Sequence, residues 1–407
     1  MSDYSLFSVV GIEIEYMLVD KDSLAVQPKS DRVLRQLAGE LVNEVALGEI
    51  AISNELVLHV IELKNNGPAS LKEAIAEHFQ NTIHELQPIL DQENLLLLPS
   101  GAHPWMNPSV ETERWPYGNH DIYRQYDQIF NCEGHGWSNL QSMHVNLPYA
   151  NDREFFQLHT AIRLLLPLLP ALAASSPFLE GRATGMLDSR LHFYGMNQQK
   201  IPAISGDIIP EFIRSPLEYH QKILHPMYQA IAPYDPNKIL QHPWLNSRAA
   251  IPKFDHKAIE IRIIDSQECV NADIAIAKAI SAILQNWLSQ SSYLLDKPCE
   301  TALLKSIYDQ TISDGMAVEI NHQELCRQWQ LKRGVQNCRD VWSQLIEGIS
   351  HELDRCSQLA LEHILSHGNL SERLLRVCGK NPSRDTLRHI YQQLSLCLYY
   401  NQPFSTS

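Results

Sequence analysis

Three short stretches of this chain alternate aliphatic and polar residues with a period of two: Gly11-Ile12-Glu13-Ile14-Glu15, Met143-His144-Val145-Asn146-Leu147 and Ile259-Glu260-Ile261-Arg262-Ile263. Successive side chains of a strand point to opposite sides, so each stretch has one greasy face and one polar face. An antiparallel sheet can bury its greasy side under helices and leave the other side open. The pattern predicts a sheet whose open face gathers carboxylates, an imidazole and a guanidinium. Like charges on one sheet face are destabilising. A divalent cation is the natural offset, because Mg²⁺ and Mn²⁺ take carboxylate oxygens and keep waters that phosphate can replace.

Each stretch alone has a plainer explanation. Glu13 and Glu15 read as a solvated edge strand, His144 as a partnered histidine, and Glu260 with Arg262 as a surface ion pair worth little. The recurrence of one two-faced design is what favours a site. A further strand is expected over 55–64, Glu-Leu-Val-Leu-His-Val-Ile-Glu-Leu-Lys. Glu62 stands in an apolar run there and needs a partner. Glu55, seven residues earlier, falls on the opposite face of an ideal strand. It reaches the same site only if it precedes the strand or a bulge intervenes.

The chain has 407 residues, 44% of them hydrophobic and 20% charged, which suits a globular protein with a large core. Helices are expected from Ser30, with Val33, Leu34, Leu37, Leu41 and Val45 on one stripe, and from a capping box of Ser70 with Glu73 through Leu71, Ile75, Phe79, Ile83 and Leu86. Further helices are expected over 152–174, 272–292, 336–366, 370–378 and 383–399. The early part mixes strands and helices, and the last third is helical. With no linker visible, residues 1–270 are expected to form a catalytic core and 271–407 a helical layer on it, as one α+β unit. Residues 103–140 are rich in Trp, Tyr, Asn, His and Gly without periodicity, which suggests a binding loop or lid; an ordered loop covering the core is the plainer alternative.

A net charge of −14 argues against nucleic acid or an anionic membrane as partner. The most apolar run, Leu164 to Phe178, is short for a membrane span and contains Pro167, Pro170 and Pro177, so it reads as a buried helix ending at the prolines. The eight cysteines form no Cys-x-x-Cys pair. They read as reduced residues of a cytoplasmic protein, and no signal peptide is expected.

The motifs also occur in a familiar order. The Gly11–Glu15 strand, Glu55 with Glu62, Gln141-Ser142-Met143-His144-Val145-Asn146 and Ile259-Glu260-Ile261-Arg262 are joined by Leu169-Pro170-Ala171-Leu172-Ala173-Ala174-Ser175-Ser176-Pro177-Phe178, Thr184-Gly185 and Ser189-Arg190. Together they resemble the glutamate–cysteine ligase family, especially its bacterial carboxylate–amine ligase branch, well over residues 8–270 and loosely over the tail. The resemblance implies a glutamine synthetase-like α+β fold, an antiparallel sheet curved into a funnel with helices outside. It implies ATP with Mg²⁺ or Mn²⁺, small-molecule substrates, and a phosphorylated carboxylate that an amine then attacks. Glutamate and cysteine are the family's default pair.

Carried over by position, Glu13, Glu15, Glu55, Glu62, His144 and Glu260 would hold metal. Glu62, Glu260 and Arg262 would meet the nucleotide, and Arg262 and Arg190 would face the phosphoryl group and the acid. His144 is alternatively a general base, and Asp265 is expected to be a supporting group. The branch often carries a second histidine two residues after the first and a glycine soon after; Asn146, Leu147 and Pro148 stand there instead, a departure that bears on the substrate. With no Walker motif in the sequence, ATP would lie in the sheet. Rival readings are a phosphotransferase acting on a guanidino or amine group, a catalytically inactive binding relative, and a metal-dependent hydrolase. Self-association as a homo-oligomer is compatible with all of them.

Overall fold

The alternating stretches lie side by side. In the computed structural model, which describes residues 4–71, 74–290, 298–332 and 334–405, β1 spans Gly11–Asp20, β2 Glu44–Leu47, β3 Ile50–Asn54, β4 Val60–Asn65 and β5 Leu95–Leu98. Then come β6 (Ser142–Pro148), the short pair β7 (Phe178–Leu179) and β8 (Arg182–Ala183), β9 (Ala250–Lys253) and β10 (Ala258–Asp265). The main sheet runs β2-β3-β4-β1-β6-β10-β9, with β5 also paired to β1. All of its pairings are antiparallel.

The greasy face behaves as the alternation requires. Ile12, Ile14, Met143, Val145, Leu147, Ile259, Ile261 and Ile263 are fully buried. Full burial of each such side chain stabilises by about 1.5–3 kcal/mol. The helix Asp152–Leu165 packs beneath β10, and Val270–Gln290 packs on both that helix and β6. Asn151 starts the first of these, its side chain accepting from the amides of Arg153 and Glu154. The later helices are pinned to this layer by two indoles. Trp329 and Trp342 donate from Nε1 to the carbonyls of Leu164 and Leu168, at 2.9 and 3.0 Å. The last helix, Arg384–Tyr400, lies on β5 and on the helix Ile75–Gln92.

Several boundaries differ from expectation. The first helix stops at Ala38 because Gly39 takes the left-handed conformation, φ 80°. Leu41 and Val45 therefore leave its stripe, and the chain spends residues 44–54 on the β2–β3 hairpin. The strand expected over 55–64 is shorter, Val60–Asn65. The buried run does not end at its prolines: a turn at Leu166–Leu168 and a helix at Leu169–Ala173 carry it on. Pro167 and Pro170 sit in first-turn positions, where no amide donor is needed. The helix expected over 336–366 breaks into Cys338–Ile349 and Arg355–His367, and Thr301–Asp314 is an additional one. The helix expected over 272–292 starts at Val270 and is seen to Gln290; its last two positions lie outside the described residues, as does Glu73 of the expected capping box. All eight cysteines are free thiols.

Candidate active site

Register, which the sequence does not print, decides which polar side chains meet. Across β1 and β6, Glu13 is opposite His144; across β1 and β4, Glu13 is opposite Lys64 and Glu15 is opposite Glu62. Across β6 and β10, Glu260 is opposite Asn146. Directly opposed residues share a face, so four adjacent strands project these groups into one patch. Glu13, His144 and Glu260 each offer a ligand atom within 4.8 Å of the others, and so do Glu15, Glu62 and His144. Glu55 precedes β4, the first of the two routes by which it could reach the site. Burial, then the charges of Glu62, Glu15 and Glu13, hold its carboxyl well above the ordinary range.

A hydrogen-bond chain orders the array. The backbone amide and Oγ of Ser142 donate to Glu15 Oε2 at 2.7 and 3.0 Å. Ser142 Oγ also meets His144 Nε2 at 2.9 Å, and His144 Nδ1 meets Glu13 Oε2 at 2.9 Å. Both imidazole nitrogens are thus engaged. Asn146 donates to Glu13 Oε1 at 3.2 Å, which gives the residue standing in place of a second histidine a defined task. Ser53 donates to Glu62 Oε1 at 2.9 Å. Two lysines close the ends, Lys64 Nζ at 3.2 Å from Glu62 and Lys253 Nζ at 2.6 Å from Glu260.

The electrostatics divide the patch. Burial works against ionising Glu260, yet Arg262, Lys253 and His144 hold its carboxyl down to about 2. Burial likewise opposes charge on Glu13, which the His144 hydrogen bond keeps below the usual range. His144 is desolvated too, but Glu13 and Glu260 raise its pKa. Glu62 lies on the other side of the balance: burial and then Glu13 raise it, and Lys64 only partly compensates. Five carboxyl groups, those of Glu13, Glu15, Glu55, Glu62 and Glu260, share the patch with Lys64, Lys253 and Arg262, so oxygen donors are in excess. Hard oxygen donors fit Mg²⁺ or Mn²⁺, whose charge would favour the ionised form of the raised carboxyls.

The two arginines part company. Arg262 donates from Nε and Nη2 to Glu260 Oε1 at 3.1 and 2.8 Å and keeps 20% of its side chain exposed, so it faces the open side of the sheet. Arg190 is 2% exposed and its Nε donates to the buried carboxylate of Asp265. Asp265 also accepts from the Ser175 amide at 2.9 Å and from Ser176 Oγ at 2.8 Å. Through this pair Arg190 fastens the end of β10 to the helix Ser189–Tyr194, while its Nη2 has no hydrogen-bond partner among the described residues.

The segment 103–140 contributes a wall. It holds the short helices Pro108–Glu111, His120–Phe130 and His135–Ser138. From the middle one, Tyr123 Oη accepts from the Asn54 side-chain amide at 3.4 Å, next to Glu55 in sequence, and the charge of Arg262 acts on the phenol of Tyr126. Sequence reasoning missed Lys64, Lys253 and Ser142. Only Lys64 had a local signal, lying two residues beyond Glu62 and so on the same face.

A sequence profile described as glutamate-cysteine ligase family 2 matches residues 9–393. An uncharacterized protein of Archaeoglobus fulgidus is 38% identical over 282 residues, 69% of this chain and 75% of that protein. A Bradyrhizobium diazoefficiens protein provisionally named glutamate–cysteine ligase 2 is 23% identical over 388 residues, 91% of this chain and 80% of its own length. Among solved structures, a Francisella tularensis glutamate–cysteine ligase in complex with AMP aligns with a TM-score of 0.63 at 14% identity, covering 98% of this chain and 90% of that one. At that identity the likeness is one of fold, and it is the same α+β arrangement around an antiparallel sheet.

Proposed function

Since the chain belongs to glutamate–cysteine ligase family 2, we propose that it is an ATP-dependent carboxylate–amine ligase working through an acyl phosphate. The observation that carries this reading is the convergence of Glu13, Glu15, Glu62, His144 and Glu260 on one sheet face, with ligand atoms within 4.8 Å of one another in two groups. These residues would hold Mg²⁺ or Mn²⁺, whose charge, when bound, neutralises that of the nucleotide phosphates.

The rest falls to the chain's own groups. A carboxylate is a poor electrophile at neutral pH. Its oxygen attacks the γ-phosphorus of ATP, the bond to the bridging oxygen breaks, and ADP departs. The amine nitrogen then attacks the acyl carbon and loses a proton to solvent, and inorganic phosphate leaves with the electron pair of the single bond that joined it to the acyl carbon. Arg262 would bind the phosphoryl oxygens, because a guanidinium stays cationic and presents paired donors. Glu260 holds its fork in place. Lys253 keeps the second oxygen of Glu260 occupied. Arg190 acts at one remove, through Asp265, on the position of β10.

The test is ADP release with candidate acids and amines, singly and in pairs. Release only with pairs, and transfer of one ¹⁸O from a labelled carboxylate into phosphate, are the expected results. Glu13→Gln and Glu260→Gln are expected to lower turnover about 10²–10³-fold, of the order set by losing one preorganised charge contact, with circular dichroism unchanged. Phosphorylation of a single amine or guanidine, or unlabelled phosphate, would overturn the reading.

A further inference from the structure

The chain has seven tryptophans. Trp105, Trp115, Trp287, Trp329 and Trp342 are buried, none more than 7% exposed. Trp137 and Trp244 are the two left half-open, and they meet through one intervening ring. Tyr126 lies 5.4 Å from Trp137 and 6.0 Å from Trp244, centroid to centroid. Phe130 extends the set, 5.8 Å from Trp137 and stacked on it. His242 lies parallel to Trp244 at 5.4 Å. The other indoles are closed off, whereas Tyr126, Phe130, Trp137 and Trp244 are all partly exposed, so accessible ring surface is gathered at one place. Flat rings with an accessible face suit the stacking of a ligand.

Its neighbourhood narrows the ligand. Arg262 Nη1 donates at 3.5 Å to the carbonyl of Asn246, two residues from Trp244. Tyr194 Oη donates at 3.0 Å to the carbonyl of Ser247, and the Arg262 charge acts on the phenol of Tyr126. A ligand lying here therefore has flat apolar rings on one side and an anion-binding cation at its end. In a nucleotide whose reacting phosphoryl group is at Arg262, the ribose and two phosphates separate the base from that point. The acid or amine that reacts there has no such spacer. A side chain the size of a thiol would leave most of the wall uncovered.

We propose that one of the two compounds joined at Arg262 carries a planar aromatic ring, and that Tyr126, Trp137 and Trp244 form the wall on which it stacks. This rests on the ligase reading above. The intact chain with Mg²⁺ and ATP would be titrated with phenylalanine, phenylacetate and phenethylamine, each against its aliphatic counterpart leucine, isovalerate or isoamylamine, reading tryptophan fluorescence. At least one aromatic probe is expected to bind tenfold or more tighter than its counterpart. Trp137→Leu and Trp244→Leu are expected to erase that preference, and in the ADP-release assay to raise KM for the aromatic partner at least tenfold with KM for ATP changed less than twofold. Equal binding of aromatic and aliphatic probes would overturn the proposal, as would variants that raise only the KM for ATP, which would assign the wall to the base. Absence of ADP release with every pair would sink the ligase reading alone, because the fluorescence comparison on the intact chain still decides the wall.

Discussion

Replacing Glu62 by glutamine should make the metal-free protein more stable while removing its response to metal. Glu15 and Glu62 present oxygens within 4.8 Å of each other. At an effective permittivity of 20, that repulsion is about 3.5 kcal/mol. Glu13 repels Glu62 more strongly still. Lys64, 3.2 Å away, returns roughly 5 kcal/mol at the same permittivity. The balance of these charges against the ionised Glu62 is about 2 kcal/mol; burial, the largest cause of its raised pKa, acts in the same direction. Glutamine keeps an oxygen for Ser53, and Lys64 keeps Glu44 at 2.8 Å, so Glu62→Gln removes little besides the charge. In urea unfolding at pH 8 with EDTA, the variant should gain about 1–2 kcal/mol over the parent. With metal at a hundred times its Kd, the parent should gain about 2.7 kcal/mol and the variant much less, so that the order reverses. A variant less stable than the parent in EDTA, or stabilised equally by metal, would refute the account of crowded charge.

Three further outcomes follow from buried polar groups elsewhere. His159 is 1% exposed, neither ring nitrogen has a partner among the described residues, and burial followed by Arg163 and Arg248 lowers its pKa from 6.5 to about 3. With the folded pKa depressed, stability is full above pH 6.5 and falls as pH drops toward 3. At pH 5 this loss is about 2 kcal/mol, and His159→Phe should abolish it in paired urea titrations at pH 5 and 7.5. Glu268 and Arg373 form an ion pair with both side chains 1% exposed. Arg373→Met alone should cost about 3–5 kcal/mol, and Arg373→Met with Glu268→Leu markedly less, as read from urea midpoints. Asp265→Asn leaves the buried Arg190 uncompensated and should cost a similar 3–5 kcal/mol; an unchanged midpoint would show that Arg190 is not held by that carboxylate.

The polar face was legible in the sequence because period two is a local property. Ile12 with Ile14, and Ile259 with Ile261, declare which side of each strand is wet without reference to any partner. What was not legible is whatever register and distance decide. Lys253 and Ser142 gain their roles from the strands beside them. Arg190 is taken by an aspartate 75 residues away, a pairing that no spacing rule contains. Glu55 could be narrowed to two routes, but choosing between them required the real start of β4. The helix boundaries failed where one residue overrode a stripe, as Gly39 did, or where a proline was placed harmlessly in a first turn.

Lys64 and Lys253 give the site a property that its carboxylates alone would not have. Each ammonium sits on one end of the acidic row and stands in for part of the charge a divalent ion would bring. If the row holds a divalent ion as proposed, the sheet would assemble before that ion arrives, unlike a zinc finger, which is unfolded until loaded. Ion capture would be an exchange of partners on a finished surface, and loading or unloading metal would leave the architecture standing without the chain having to refold.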